Sequence, residues 1–186
     1  MDTVLDGIRL AVEAGIPLIN MHLPKGVYIT LPERRVFLYD SYAGEYRRAL
    51  LDFREAVERE IGDSGIRFCI ENTNGFASHE LAALELLLAS PVFGLTLDIG
   101  HSHGVNDMDI PFYEAHADRL LHMHGHDALG KRNHLALGDG EIDLRSRLAW
   151  AQTCGARVVM ETKTIAALET SLARLPEFLP LSGEKV

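Results

Sequence analysis

The chain has 186 residues, of which 47% are hydrophobic and 24% charged, a balance that can bury one sizeable core and excludes a disordered tail. Acidic side chains outnumber basic ones by 27 to 18, and no Lys/Arg cluster stands against the net charge of −9, which argues against nonspecific nucleic-acid binding. Cys69 and Cys154 lie far apart with no Cys-x-x-Cys spacing, so neither a disulfide framework nor a thiolate zinc site is implied, and a reducing, cytoplasmic setting fits.

The opening MDTVLDGIRLAVEAG carries charges throughout and reads as a helix rather than a signal peptide or membrane span. Asp2 or Thr3 caps it, Leu5, Ile8 and Val12 form its apolar stripe, and Gly15 closes it. A short strand over 16–21 follows and ends at His22. Residues 23–42 hold Pro24, Gly26 and Pro32 and read as a long irregular loop, in which Lys25, Arg34, Arg35 and Tyr39 either shape specificity or lie solvated. Leu50, Phe53, Val57 and Ile61 mark a helix stopped by Gly62.

Beyond it, strands over 67–71, 93–98, 120–124 and 157–161 alternate with helices. The first of these helices is capped by Ser78 and runs to Ala89, the second lies near 110–117, and the third is capped by Asp143. The last covers 164–175, with Pro176 and Pro180 ending regular structure. Short apolar runs alternating with amphipathic stretches are the pattern of βα units around a parallel sheet, and no linker divides the chain, so a single α/β domain over 1–186 is expected.

Each strand is apolar and ends in a metal-ligand type: His22, Glu71, Asp98, His124 and Glu161. In closed α/β barrels the C-terminal strand ends share one mouth, where residues far apart in sequence meet. A carboxylate at a strand end can equally cap a helix or lie in solvent. Several converging acids, however, need compensation, which a divalent cation supplies. Three carboxylates and an imidazole suit Mn²⁺, Mg²⁺, Co²⁺ or Zn²⁺ better than a soft metal. Strand alternation places His122, His124 and His126 on one face, with His124 at the edge as the ligand, His122 packed or hydrogen-bonded one layer deeper, and His126 entering the loop. His101, just past Asp98, binds substrate or a second metal, or caps the following turn, whereas His103 and His116 read as solvated.

The segments CIENTNG, LTLDIGHSHG, LHMHGHDALGKRNHLALGDGEID and VVMETKT resemble the successive strand-end motifs of the xylose-isomerase-like TIM-barrel superfamily, over about residues 16–175. That superfamily includes sugar and sugar-phosphate isomerases and epimerases and apurinic endonucleases. The resemblance implies Glu71, Asp98, His124 and Glu161 as metal ligands, with His22, His101, Arg132 and His134 as substrate-binding groups or ligands of a second metal. His134 and the Gly138-Asp139-Gly140 turn match a loop that reaches back over the site. The endonuclease pattern has an aspartate where this chain has Arg132. This departure and the net charge of −9 count against an endonuclease.

The resemblance thus implies a divalent-metal-dependent isomerase or epimerase of a sugar-like substrate, with Glu71 and Glu161 as acid and base. The alternatives are a metal-dependent phosphodiesterase of the apurinic-endonuclease type and a non-catalytic partial barrel that needs a partner chain. A closed barrel takes eight strands and about 250 residues. Five βα units are legible here, so the expected architecture is an incomplete barrel lacking its first units, either self-associating as a homo-oligomer or preceded by further sequence.

Overall fold

In the computed structural model, which describes residues 2–179, the chain forms two compact units. One comprises the residues up to Ile70 together with Phe76–Gly94, and the other comprises Glu71–Gly75 and the residues from Leu95 onward. Pro180 lies outside the described residues.

The first unit begins with α1 (Asp2–Ala14), which buries Ile8 and Ala11. Gly15, at φ +65°, donates to Val12 O at 3.2 Å while Ile16 N donates to Ala11 O at 2.9 Å, the paired bonds of a Schellman end. With the Ile16 N–H spent in that cap and Pro17 lacking one, β1 (Leu18–His22) starts two residues later than the apolar run implies. The expected loop contains an antiparallel hairpin of β2 (Tyr28–Thr30) and β3 (Arg35–Phe37), then α2 (Leu38–Ser41). α3 (Ala43–Ile61) is followed by β4 (Arg67–Glu71) and α4 (Ser78–Leu88). Ala77 rather than Ser78 occupies the cap position of α4, and its N–H donates to Glu80 Oε2 at 2.8 Å. Phe53, Phe68 and Phe93 pack ring against ring in the core, with centroids 5.6–6.2 Å apart.

The second unit takes up β5 (Phe93–Asp98) from Leu95 onward and continues with α5 (Ile99–His103), α6 (Ile110–Ala115), β6 (Leu120–Gly125), α7 (Leu144–Cys154), β9 (Arg157–Met160) and α8 (Ile165–Phe178). Between β6 and α7 a hairpin of β7 (Asp127–Leu129) and β8 (Arg132–Leu135) occupies the Gly-rich segment. Asp143 caps α7 by accepting Ser146 N, as expected. Pro176 does not stop α8. The helix continues to Phe178, because Arg145 Nη2 donates to Glu177 O and Phe178 lies against Gly138, so tertiary contacts hold the last turn.

The five long strands form one parallel sheet in the order β1-β4-β5-β6-β9, five strands of an incomplete TIM barrel. Among the described residues, no helix is long and apolar enough to cross a membrane.

Candidate metal centre

Parallel register brings the strand ends of the second unit level. Asp98 sits opposite His124, His124 opposite Val159, and Gly125 opposite Met160, so Glu161 leaves β9 at the same edge, its N–H donating to Gly125 O at 3.1 Å. One ligand atom from each of Glu71, Asp98, His124 and Glu161 lies within 4.8 Å of the others. His124 Nδ1 stands 3.0 Å from Glu71 Oε1, 2.8 Å from Glu161 Oε2 and 3.9 Å from Asp98 Oδ2. Glu71 and Asp98 are buried, whereas 44% of the Glu161 side chain is exposed, so the cluster opens to solvent on that side.

The two oxygens of Asp98 differ. Oδ1 accepts His101 N at 2.7 Å and His126 Nε2 at 2.9 Å. Oδ2, like Glu161 Oε2, is buried and accepts no hydrogen bond among the described residues. Bare buried carboxylate oxygens are costly. With three carboxylates and one imidazole converging on them, the donor set fits a hard or borderline divalent cation. Burial pushes the Asp98 carboxyl up, but the hydrogen bond from His126 and the two neighbouring imidazoles bring it below its ordinary value. For His124 burial acts downward and is outweighed by the hydrogen bond to Glu71 and the surrounding carboxylates, so the imidazole sits above its ordinary value.

His126 escaped the sequence reading as a site residue. It is fully buried, and its Nδ1 accepts the His134 backbone N–H at 2.7 Å, so Nε2 carries the hydrogen and donates to Asp98 Oδ1. The ring stacks on His134 at 4.3 Å, and a Cβ on Gly100 would overlap it. A second group, His126, His134 and Glu161, also gathers ligand atoms within 4.8 Å, but both His126 nitrogens are already committed. His134 holds a left-handed φ of +57°, and its Nδ1 donates to Glu161 O at 3.2 Å.

Asn72 and Asp127 were missed as well. Asn72 donates to Asp98 O at 3.0 Å and to Asp109 Oδ2 at 2.8 Å, and accepts Asp98 N at 2.7 Å, tying the residue after Glu71 to the end of β5. The sequence shows only that an Asn directly follows a strand-end acid, and its full burial, which demands partners, is seen in the structure. Asp127 gathers the backbone N–H groups of Ala128, Gly138, Gly140 and Ile142, which fixes the Gly138-Asp139-Gly140 turn. Its close approach leaves no room for a Cβ on Gly140.

The remaining expected residues are placed as follows. His101 Nδ1 donates to Asn72 O at 3.3 Å, and the ring lies edge-on to His134. Arg132 is exposed on β8, and His22 is exposed at the end of β1, in the first unit. His122 is buried beside Thr96 Oγ1 at 3.3 Å, with its pKa held down to about 4 by burial and by His124. His103 and His116, expected to be solvated, are half-buried and each has a partner. His103 Nε2 lies 3.0 Å from Glu141 Oε1, and His116 Nδ1 donates to Phe112 O at 2.9 Å.

Parallel strands that gather carboxylates and an imidazole at their C-terminal ends define an α/β barrel-type protein with a candidate metal centre. The chain belongs to the xylose isomerase-like TIM barrel family, whose model matches residues 1–179. Among solved structures it is similar to a D-tagatose 3-epimerase-like protein, at 24% identity and TM-score 0.71, covering 94% of this chain and 66% of that one. It is also similar to the IOLI protein with a binding zinc atom, at 14% identity and TM-score 0.67, covering 95% and 68%. A third is the D-psicose 3-epimerase of Clostridium cellulolyticum H10 with D-tagatose, at 15% identity and TM-score 0.68, covering 95% and 68%. At these identities the likeness is one of fold, and the chain spans about two thirds of the length of these relatives. No curated protein matches at a significant level.

Proposed function

We propose that the chain is a divalent-metal-dependent isomerase or epimerase that moves a proton next to the carbonyl of a sugar or sugar-phosphate-like substrate. The observation that carries this reading is the pair of carboxylates Glu71 and Glu161, both within 3.0 Å of His124 Nδ1, beside the bare Oδ2 of Asp98. Glu71, Asp98, His124 and Glu161 would hold the cation, which when bound supplies positive charge for a carbonyl oxygen that becomes an oxyanion. The relatives described as 3-epimerases support the substrate class.

The protein's own share is proton transfer and orientation. One of the two carboxylates takes the proton from the carbon beside the carbonyl, and the electron pair of the broken C–H bond moves to the carbonyl oxygen. The other group, which starts as the carboxylic acid, gives its proton to the opposite face of that carbon as the pair returns, which inverts the carbon and leaves the two groups with their protonation exchanged. His126 and Asn72 keep Asp98 oriented through the step. His101, His134 and Arg132, all in the second unit, are assigned to substrate oxygens.

The test combines metal analysis with deuterium incorporation from D₂O into ketose substrates. About one Mn, Co or Mg ion per chain is expected, and Glu71→Gln is expected to lose about 10²–10⁴-fold in turnover while still binding metal. Undiminished exchange in that variant overturns the two-carboxylate assignment. Two or three tightly held zinc ions with phosphodiester cleavage would instead indicate an enzyme of the apurinic-endonuclease type. Metal binding without any turnover would indicate a partial barrel that acts only with a partner chain.

A further inference from the structure

Bare buried polar atoms mark the metal cluster, and the same signature recurs in the first compact unit, at a cavity of about 700 Å³ between α3 and α4 beside α2. That volume is in the range of small-molecule sites. Both ring nitrogens of His79, Tyr46 Oη and Arg54 Nε are buried there without a hydrogen bond among the described residues. The His79 side chain is only 3% exposed and is framed by the rings of Phe37, Tyr39 and Tyr46 at 4.9, 5.4 and 5.9 Å. The Asp40 carboxylate stands 3.7 Å from His79 Nδ1, an ion-pair distance outside hydrogen-bonding reach. An imidazole so enclosed, with neither nitrogen satisfied, is rare unless something else meets it.

We propose that this cavity is a second binding site, for a neutral polyhydroxylated molecule of monosaccharide or cyclitol type. Charge decides against an anion, because the lining carries Arg47 and Arg54 against Asp40 and Glu85 and is formally neutral. Hydrogen-bonding capacity decides for hydroxyls. Tyr46 O–H requires an acceptor, and Arg54 Nε–H has Glu58 Oε1 only at the ion-pair distance of 3.6 Å, outside hydrogen-bonding reach, whereas a neutral imidazole requires one acceptor and one donor, and a hydroxyl serves as both. Burial pushes the Tyr46 phenol up to about 12, so it stays a donor at physiological pH. Arg54 is held in place by its own bond to Leu86 O at 3.0 Å. The stacked Tyr39 and Tyr46 rings, 4.2 Å apart, together with Leu50 and Ala82 offer an apolar wall for the C–H face of such a ligand. The site uses none of the four residues of the metal cluster, so it stands or falls independently of the proposed reaction.

The test is protein-observed NMR on the full chain, titrated with D-glucose, D-fructose and myo-inositol at millimolar concentration, and with phosphate and acetate as anionic controls. At least one neutral probe is expected to shift the His79 ring signals and the amides of α3 and α4. His79→Phe and Tyr46→Phe are each expected to weaken that binding about tenfold or more, whereas Asp98→Asn, which disables the metal cluster, leaves it unchanged. If His79→Phe fails to fold, Tyr46→Phe, which keeps the ring, decides alone. Shifts with the anions only, shifts that follow protein concentration without a probe, no shift with any neutral probe, or binding indifferent to Tyr46→Phe would each overturn the proposal.

Discussion

Asp98 shows how much one side chain can be asked to do. Its Oδ1 is pinned by a backbone N–H and by an imidazole whose tautomer is fixed by a second backbone N–H, whereas Oδ2 accepts no hydrogen bond among the described residues. Partners of this kind tune a ligand's orientation and basicity, and removing them costs about 10–100-fold in metal affinity. His126→Ala is accordingly expected to weaken Mn²⁺ or Zn²⁺ binding by that factor in calorimetric titration, and unchanged affinity would remove His126 from the centre. Gly100→Ala makes the complementary test. Its Cβ would overlap the His126 ring, so the ring must shift, with an expected loss of about 3–10 °C in Tm. The strand-end acids and His124 were legible because each ends an apolar run. His126 was not, because its task depends on the His134 N–H, and a hairpin with a left-handed residue brings that group back in a way no periodicity encodes.

At the scale of elements, legibility followed the strength of the local signal. β4 and β5 begin and end where their apolar runs do, and Gly15 and Asp143 act at the helix ends where they were expected. The hairpin β2/β3 gave no signal because its first strand is exposed at all its residues, so no alternation of apolar and polar positions exists to be read. Ser78 misled because Glu80 reaches back to the N–H of Ala77 and moves the cap one residue upstream. Helix pairing carries a pH prediction. Arg9 of α1 holds Glu60 of α3 through two bonds, at 2.9 and 2.6 Å, and this hydrogen-bonded pairing places the Glu60 carboxyl below its ordinary value of 4.5. A depressed carboxylate contributes stability that is present above the unfolded value and lost as pH falls through the folded one. The urea midpoint of the parent chain is therefore expected to fall more steeply below pH 4.5 than that of Arg9→Gln, with the two curves parallel at neutral pH. Superimposable slopes in acid would show the pair to be inert. The effect is expected to be small and to fade with salt, as for other exposed pairs.

For the whole molecule, the sheet sets the question of assembly. Five strands in the order β1-β4-β5-β6-β9 leave β9 at one edge, with Val159 49% exposed. Beside it Leu148, Val158, Met160, Leu172 and Leu175 line an open apolar groove of about 540 Å³, and Leu172 is itself 54% exposed. A strand edge with unpaired backbone groups next to uncovered aliphatic surface favours pairing with another chain. A second copy is the simplest such chain, because a symmetric contact would cover two such grooves at once. Sedimentation velocity at micromolar concentration is expected to show a dimer or larger species. Leu172→Glu, which puts a charge on the groove without touching the metal cluster, is expected to return a folded monomer. A parent chain that sediments as a stable, monodisperse monomer would refute self-association. The centre itself draws all four of its side chains from the second compact unit, so metal binding in the monomeric variant should equal that of the parent, and a metal affinity that falls with dissociation would mean that the partner helps to hold the strand ends in place.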